Sequence, residues 1–203
     1  MSKFASARVQ RLWSGYRKLA TGGNLAIAAI VVLAAVFFSA LTVQGFAEAS
    51  NWKDTKEWVR TDFPEAPQLS VTELAKTLEG SSKTPLIVDV REPEEYAVSH
   101  IPGAVNAQGA ELERLVSEAG PDRPIVLYCS VGYRSSRETE KLLEKGYRNI
   151  SNLEGSIFEW ANTGHPLVQG GPSSQLATDA VHPFDEEWGV LLDAERRSYT
   201  PRQ

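Results

Sequence analysis

Cysteine is almost absent from this sequence, since its 203 residues include only Cys129. A single cysteine excludes an internal disulfide framework, a four-cysteine zinc or iron–sulfur site and a Cys-x-x-Cys redox pair. Any chemistry at Cys129 therefore uses this thiol alone or with a second molecule. The three histidines, His100, His165 and His182, lack the spacing of metal ligands, so we expect no metal site.

The chain also lacks an excess of positive charge beyond its N-terminal region. Residues 1–47 contain five Lys and Arg and no acidic residue, which leaves 16 basic against 26 acidic residues in the remainder. A phosphate-binding surface needs a basic patch. We therefore expect no nucleic-acid partner. The length suits one domain with attachments, and the 42% hydrophobic content is enough to bury a core.

Charged residues, Gly and Pro are all missing from residues 25–43, LAIAAIVVLAAVFFSALTV. As a helix this segment would rise about 28 Å, close to the thickness of a hydrocarbon core of about 30 Å. A globular helix normally keeps a polar stripe, so the segment predicts one transmembrane helix. The basic leader 1–24 predicts a cytoplasmic N-terminus for a single-pass protein. The rest of the chain would then be periplasmic or otherwise extracytoplasmic.

Two other interpretations of the N-terminal region stay open. Residues 47–49, Ala-Glu-Ala, have the small-x-small form of a signal-peptidase site, so that cleavage would follow Ala49. The apolar run exceeds the length of about 7–15 residues usual in signal peptides, which favours an uncleaved anchor. An acid-poor, Arg-containing leader is also typical of an organelle-targeting sequence.

The next part of the chain predicts a linker followed by an α/β domain. Residues 44–67 are predicted to be a juxtamembrane linker with one amphipathic helical stretch. A capping box at Ser70 and Glu73 then opens a helix. Short apolar runs alternate with helical patches up to residue 168. This alternation predicts a doubly wound domain over 68–168, with a mostly parallel sheet and helices on both faces.

The C-terminal tail, residues 169–203, begins with a Gly- and Ser-rich break. It regains apolar residues at Val181, Phe184, Trp188 and Leu191. We expect this segment to pack back onto the domain, and a docking peptide for a partner is the alternative.

Cys129 follows an apolar strand and leads through a short loop into a predicted helix. Ligands of open α/β sheets bind beyond the carboxyl ends of strands. Backbone N–H groups and a helix N-terminus converge there, and the same field favours a thiolate over a thiol. Gly132 permits a positive φ in the loop, and Arg134 adds a planar cation suited to oxyanions. The sequence thus predicts a nucleophilic cysteine.

Charged residues near the preceding apolar run suggest structural roles. Asp89 and Arg91 bracket the end of that strand, and we expect them to form a supporting ion-pair network beneath the loop. Glu94 and Glu95 follow in a predicted helix, where we expect both to lie on a solvated face.

Five segments together resemble a single-domain rhodanese, a sulfurtransferase. The resemblance spans about residues 68–168 in order and spacing. One departure is Ser156, where such proteins usually have a second glycine. The segments are Asp89-Val90-Arg91-Glu92-Pro93-Glu94-Glu95-Tyr96, His100-Ile101-Pro102-Gly103-Ala104-Val105-Asn106, Tyr128-Cys129 through Arg134-Ser135, Leu153-Glu154-Gly155, and Trp160 with Gly164-His165-Pro166.

The resemblance implies a persulfide relay and no cofactor. Cys129 would take sulfur from a small anionic donor such as thiosulfate, or from another persulfide, and pass it to cyanide or a thiol acceptor. Splitting one transfer into two steps is the advantage of covalent catalysis. The predicted substrate-binding residues lie in the loop, where each well-placed amide is worth about 3–4 kcal/mol. They are Ser130, Val131, Gly132, Tyr133, Arg134 and Ser135.

Two functions other than sulfur transfer are also compatible with a cysteine in such a loop. A cysteine phosphatase or arsenate reductase would use a similar Cys-loop-Arg arrangement, but with five residues between Cys and Arg. Here four intervene between Cys129 and Arg134, which suits a single sulfur better than a tetrahedral oxyanion. A non-catalytic rhodanese-like binding module is the other alternative, and the retained Cys129 and Arg134 argue against it.

Overall fold

Five short parallel strands form the central sheet. The computed structural model describes residues 51–80, 84–171 and 175–202. Parallel neighbours cannot be joined by a tight hairpin, so crossover segments, mostly helical, connect them. The strands are β1 (Gln68–Leu69), β2 (Leu86–Asp89), β3 (Val105–Asn106), β4 (Ile125–Tyr128) and β5 (Ile150–Leu153). Their order across the sheet is β1-β5-β4-β2-β3.

Helices precede, connect and follow these strands. The capping box predicted at Ser70 and Glu73 is present, because Glu73 N–H donates to Ser70 Oγ at 3.2 Å and Ser70 N–H donates to Glu73 Oε2 at 2.9 Å. The helices are α1 (Trp52–Asp62), α2 (Val71–Gly80), α3 (Pro93–Val98), α4 (Gly109–Ala119), α5 (Tyr133–Glu144), α6 (Ser156–Asn162) and α7 (Glu186–Gly189), with a 3₁₀ turn at Ala194–Arg196.

The sheet is buried on both faces. Ile87 and Val126 pack on one side with residues of α2 and α6, whereas Val88 and Leu127 pack on the other side with residues of α4 and α5. Successive side chains of a strand point to opposite faces, so strands covered on both sides read as continuous apolar runs. The predicted α/β class, with a mostly parallel sheet and helices on both faces, is confirmed.

Both flanking segments pack against this sheet domain. In the predicted linker, α1 is tied to the domain by ion pairs of Lys56 with Glu159 at 2.7 Å and of Arg60 with Glu154 at 2.6 Å. In the tail, β6 (Leu167–Gln169) and β7 (Leu176–Thr178) pair antiparallel. Leu192 is almost completely buried in the same core cluster as α6. The compact unit extends beyond residues 68–168 on both sides.

The predicted leader 1–24, the transmembrane segment 25–43 and the cleavage position after Ala49 all lie outside the described residues. None of the helices in the described ranges is long and apolar enough to cross a membrane. The membrane anchor therefore stays a prediction.

Candidate active site

The candidate site lies where the central strand β4 runs into α5. Tyr128 ends the strand, and residues 129–132 form the loop before the helix. Gly132 adopts φ +109°, and a Cβ there would lie 3.3 Å from Asn152 Nδ2. A side chain at Gly132 would thus be both strained and crowded. Glycine at this position lets the chain turn sharply from strand to helix.

Cys129 is buried in this loop, with only 1% of its surface exposed. The Gly132 N–H donates to Cys129 Sγ at 3.2 Å. Burial raises the pKa of the thiol, but three effects outweigh it: the positive charge of Arg134, the polar groups of Ser135, and the Gly132 amide. The pKa of Cys129 is therefore lowered from its ordinary value, which favours the nucleophilic thiolate.

Ser156 holds the backbone of the cysteine. The Cys129 N–H donates to Ser156 Oγ at 3.1 Å, and the Ser156 hydroxyl donates to the carbonyl of Leu153 at 2.9 Å. Ser156 is fully buried and adopts φ +51°, a left-handed conformation that favours glycine. The position where serine replaces the usual glycine thus retains the glycine-like backbone and gains a contact to Cys129.

Arg134 is engaged by Glu95 rather than free to face solvent. Its Nη1 donates to Glu95 Oε2 and its Nη2 to Glu95 Oε1, both at 2.8 Å. The Ser130 hydroxyl accepts from Arg134 Nη2 at 3.0 Å and donates to Glu95 Oε1 at 3.1 Å. The ring of Phe184 in the tail covers the guanidinium, with 4.9 Å between Arg134 Cζ and the ring centroid.

The expectation that Glu95 lies on a solvated helix face is wrong. Its residue exposure is 2%, whereas Glu94 is exposed as expected. Burial raises the pKa of Glu95, but its hydrogen bond and attraction to Arg134 outweigh burial and lower that pKa. The carboxylate is thus an ionised part of the site. Glu95 lies 39 residues before Arg134, so a helical pattern could not reveal their contact.

Asp89 and Arg91 form a fully buried pair at the end of β2, beside β4. Arg91 Nη2 donates to Asp89 Oδ2 at 2.7 Å and to the carbonyl of Ser99 at 2.6 Å. Burial lowers the pKa of Arg91, and attraction to Asp89 reverses that effect and raises it. Asp89 is in register with Tyr128, the residue before the cysteine. The structure thus brings the two predicted supporting residues together next to the loop.

The remaining predicted loop residues divide into two groups. Ser135 is buried, its hydroxyl donates to Asn152 Oδ1 at 2.6 Å, and its polar groups help to lower the pKa of the thiol. Val131 is buried in the core cluster that contains α6. Tyr133 instead points outward, where its hydroxyl donates to Asp62 Oδ2 at 3.1 Å.

An aromatic stack joins both flanking segments to the loop. The Trp58 ring of α1 lies between Tyr133, with centroids 4.2 Å apart, and Trp188 of the tail, at 5.7 Å. Sequence reasoning did not assign Trp58 or Trp188 to the site, because only the folded chain brings them to the loop. Within the described residues, no group of three or more His, Cys, Asp or Glu side chains is placed to hold a metal ion.

Fold and site together define a class of α/β domain with one cysteine in a strand-to-helix loop at the carboxyl edge of a parallel sheet. The family model of the rhodanese-like domain matches residues 70–163. A sulfurtransferase of Allochromatium vinosum is 39% identical over 83 residues, which covers 41% of this chain and 78% of that protein. The chain belongs to the rhodanese-like family, as the sequence motifs predicted.

Two further relatives are thiosulfate sulfurtransferases. The one from Shewanella oneidensis is 33% identical over 92 residues, covering 45% of this chain and 89% of that protein. The crystal structure of the one from Pseudomonas aeruginosa is 28% identical with a TM-score of 0.52. That match covers 61% of this chain and 24% of the other.

Proposed function

We propose that this chain is a sulfurtransferase that carries a sulfane sulfur on Cys129. The observation that carries the proposal is the buried thiol, whose pKa is lowered by Arg134, Ser135 and the Gly132 amide. Thiolates, not thiols, are the nucleophiles in sulfur exchange. Relatives named as sulfurtransferases support the same assignment.

The first step loads Cys129. Its thiolate forms a bond to the outer sulfur of thiosulfate, the bond between the two thiosulfate sulfurs breaks, and the electron pair leaves with sulfite. A persulfide donor would react in the same way and release a thiolate. Amides of residues 130–135 would stabilise the charge on the transferred sulfur, and Arg134 supplies the nearby cation.

The second step unloads the sulfur. The thiolate of an acceptor, or cyanide, forms a bond to the outer sulfur of the Cys129 persulfide, and the persulfide bond breaks to restore the Cys129 thiolate. Because the sequence holds no second cysteine, the acceptor must be another molecule. This step needs no redox cofactor, since the sulfane sulfur is transferred without net oxidation.

Mass spectrometry of the full chain in mild detergent tests the assignment. Incubation with thiosulfate should add one sulfur, about 32 Da, to Cys129, and cyanide should remove it as thiocyanate. Cys129→Ser should abolish both, while Glu94→Gln, an exposed substitution, should leave them intact. Absence of the adduct in the unsubstituted chain would favour a binding module. Hydrolysis of a phosphate ester without sulfur transfer would favour a phosphatase.

We also propose that residues 25–43 anchor the protein as a single transmembrane helix, with the catalytic domain on the periplasmic or extracytoplasmic side. The support is the uncharged run of 19 residues behind a basic leader. The protein should stay in membranes after alkaline carbonate extraction, and protease added outside the inner membrane should digest the domain. A mature N-terminus directly after Ala49 would instead indicate a cleaved signal peptide.

A further inference from the structure

Building on the proposed sulfur transfer, we propose that Glu95 is a specificity-determining residue that disfavours doubly charged sulfur donors. The site would then prefer sulfane donors with at most one negative charge. The basis is the ion pair of Glu95 with Arg134, the cation that acts on Cys129.

Glu95 accepts from two of the five N–H groups of Arg134, those at the Nη1–Nη2 end of the guanidinium, and Ser130 accepts from a third. Two parallel bonds of 2.8 Å join the guanidinium to the carboxylate. This fork-to-fork geometry is the arrangement with which arginine binds a carboxylate or a sulfonate group. A donor such as thiosulfate would therefore compete with an internal anion that is already in place.

The internal anion is held firmly. Glu95 Oε1 also accepts from the Ser130 hydroxyl at 3.1 Å, and its Oε2 accepts from the Glu92 N–H at 3.0 Å. Glu95 is almost fully buried, and Phe184 covers a face of the guanidinium. Each of these contacts keeps the carboxylate beside Arg134.

The Arg134–Glu95 pair adds no net positive charge beside Cys129. Glu95 carries −1 beside the +1 of Arg134, while Cys129 itself is −1 when reactive. The Asp89–Arg91 pair nearby is also balanced. Each extra negative charge on a donor therefore meets repulsion from the thiolate that no net cation offsets. At a separation of about 6 Å and an effective dielectric constant of about 40, between the values for a protein surface and for bulk water, one elementary charge changes a rate by about tenfold.

Two donors that differ by one charge test this directly. Thiosulfate is a dianion, and methanethiosulfonate is a monoanion that delivers the same sulfur and releases methanesulfinate. We expect Glu95→Gln to raise the ratio of kcat/KM for thiosulfate over methanethiosulfonate by about tenfold. Glu95→Asp keeps the charge and should keep the ratio. Glu94→Gln, which removes an exposed charge from the same helix, should also leave it unchanged.

A double variant covers the case in which Glu95→Gln does not fold. Replacing both Glu95 and Arg134 by Gln removes the pair and leaves the net charge of the site unchanged. Our proposal expects a donor ratio within about threefold of the unsubstituted chain. A larger fall would show that Arg134 binds the dianion despite Glu95, and would overturn the proposal.

Two further results distinguish failure of the specificity role from failure of the proposed function. An unchanged ratio in a folded Glu95→Gln protein, with Cys129 still loaded by both donors, would overturn the specificity role while the proposed function stands. Failure of both donors to load Cys129 in the unsubstituted chain would overturn both.

Discussion

Ser156 offers a direct test of how the backbone of the nucleophile is held. Replacing it by alanine removes the acceptor for the Cys129 N–H and the donor to Leu153, both buried. A buried donor left without a partner costs about 1–3 kcal/mol. The alanine also keeps the left-handed backbone at φ +51°. We expect Ser156→Ala to lower the free energy of unfolding by about 2–4 kcal/mol.

Glycine at the same position gives the matched comparison. It loses the same hydrogen bonds but relieves about 1–2 kcal/mol of left-handed strain, against an entropic cost of about 0.4–1 kcal/mol. Ser156→Gly should therefore be more stable than Ser156→Ala by roughly 0.5–1 kcal/mol. This order reverses the one found in ordinary helix positions, where alanine is better than glycine.

Urea-induced unfolding of the full chain in detergent, followed by tryptophan fluorescence, measures both variants. The proposed structural role of Ser156 is refuted if Ser156→Ala is as stable as the unsubstituted chain. It is equally refuted if Ser156→Ala is more stable than Ser156→Gly, because the strain would then not exist.

Three other changes probe the thiol, the buried ion pair and the loop. Because the pKa of Cys129 is lowered, its alkylation by iodoacetamide should reach half-maximal rate at a lower pH than an ordinary cysteine, and Arg134→Gln should move that midpoint upward. An unmoved midpoint would contradict the role of the cation. Asp89→Asn leaves a buried guanidinium without its counter-charge and should cost about 3–5 kcal/mol in urea unfolding; a cost below about 1 kcal/mol, typical of an exposed pair, would contradict the burial argument. Gly132→Ala should slow persulfide loading of Cys129, whereas Gly146→Ala, also at positive φ but with open space around it, should not. Equal loading rates in these two variants would contradict the crowding at Gly132.

Much of the fold was predictable because the signals that specify it are local. Each inner strand is a short apolar run bounded by turns, and the capping box of α2 uses Ser70 and Glu73, three residues apart. The two-residue strand β1 went unpredicted, since its pairing with β5 depends on a partner far along the chain. The antiparallel pairing of β6 with β7 was also not predicted. The Gly- and Ser-rich segment between them indicated a break in the structure rather than a connection between paired strands.

The candidate site was predictable only in part, for the same physical reason. Cys129, Gly132 and Arg134 stand close in sequence, and strand-to-helix geometry alone places them at one junction, with Arg134 in the first turn of α5. Glu95 and Ser156 contact that loop from 39 residues before Arg134 and 27 residues after Cys129. Glu and Ser occur both on protein surfaces and in buried polar sites. The identity of these residues therefore could not show that Glu95 and Ser156 are buried beside Cys129.

Two kinds of electrostatic interaction act on sulfur transfer at this site. Fixed dipoles, such as the Gly132 N–H, act on the sulfur itself and are the same for every donor. The Arg134–Glu95 pair instead meets the donor as it arrives, and its effect depends on the donor's charge. Substitutions that move the dipoles should thus change kcat/KM by one factor for all donors, whereas substitutions of the pair should change the ratio between donors. Comparing two donors of different charge in each variant therefore assigns a residue to the sulfur or to the approach of the substrate.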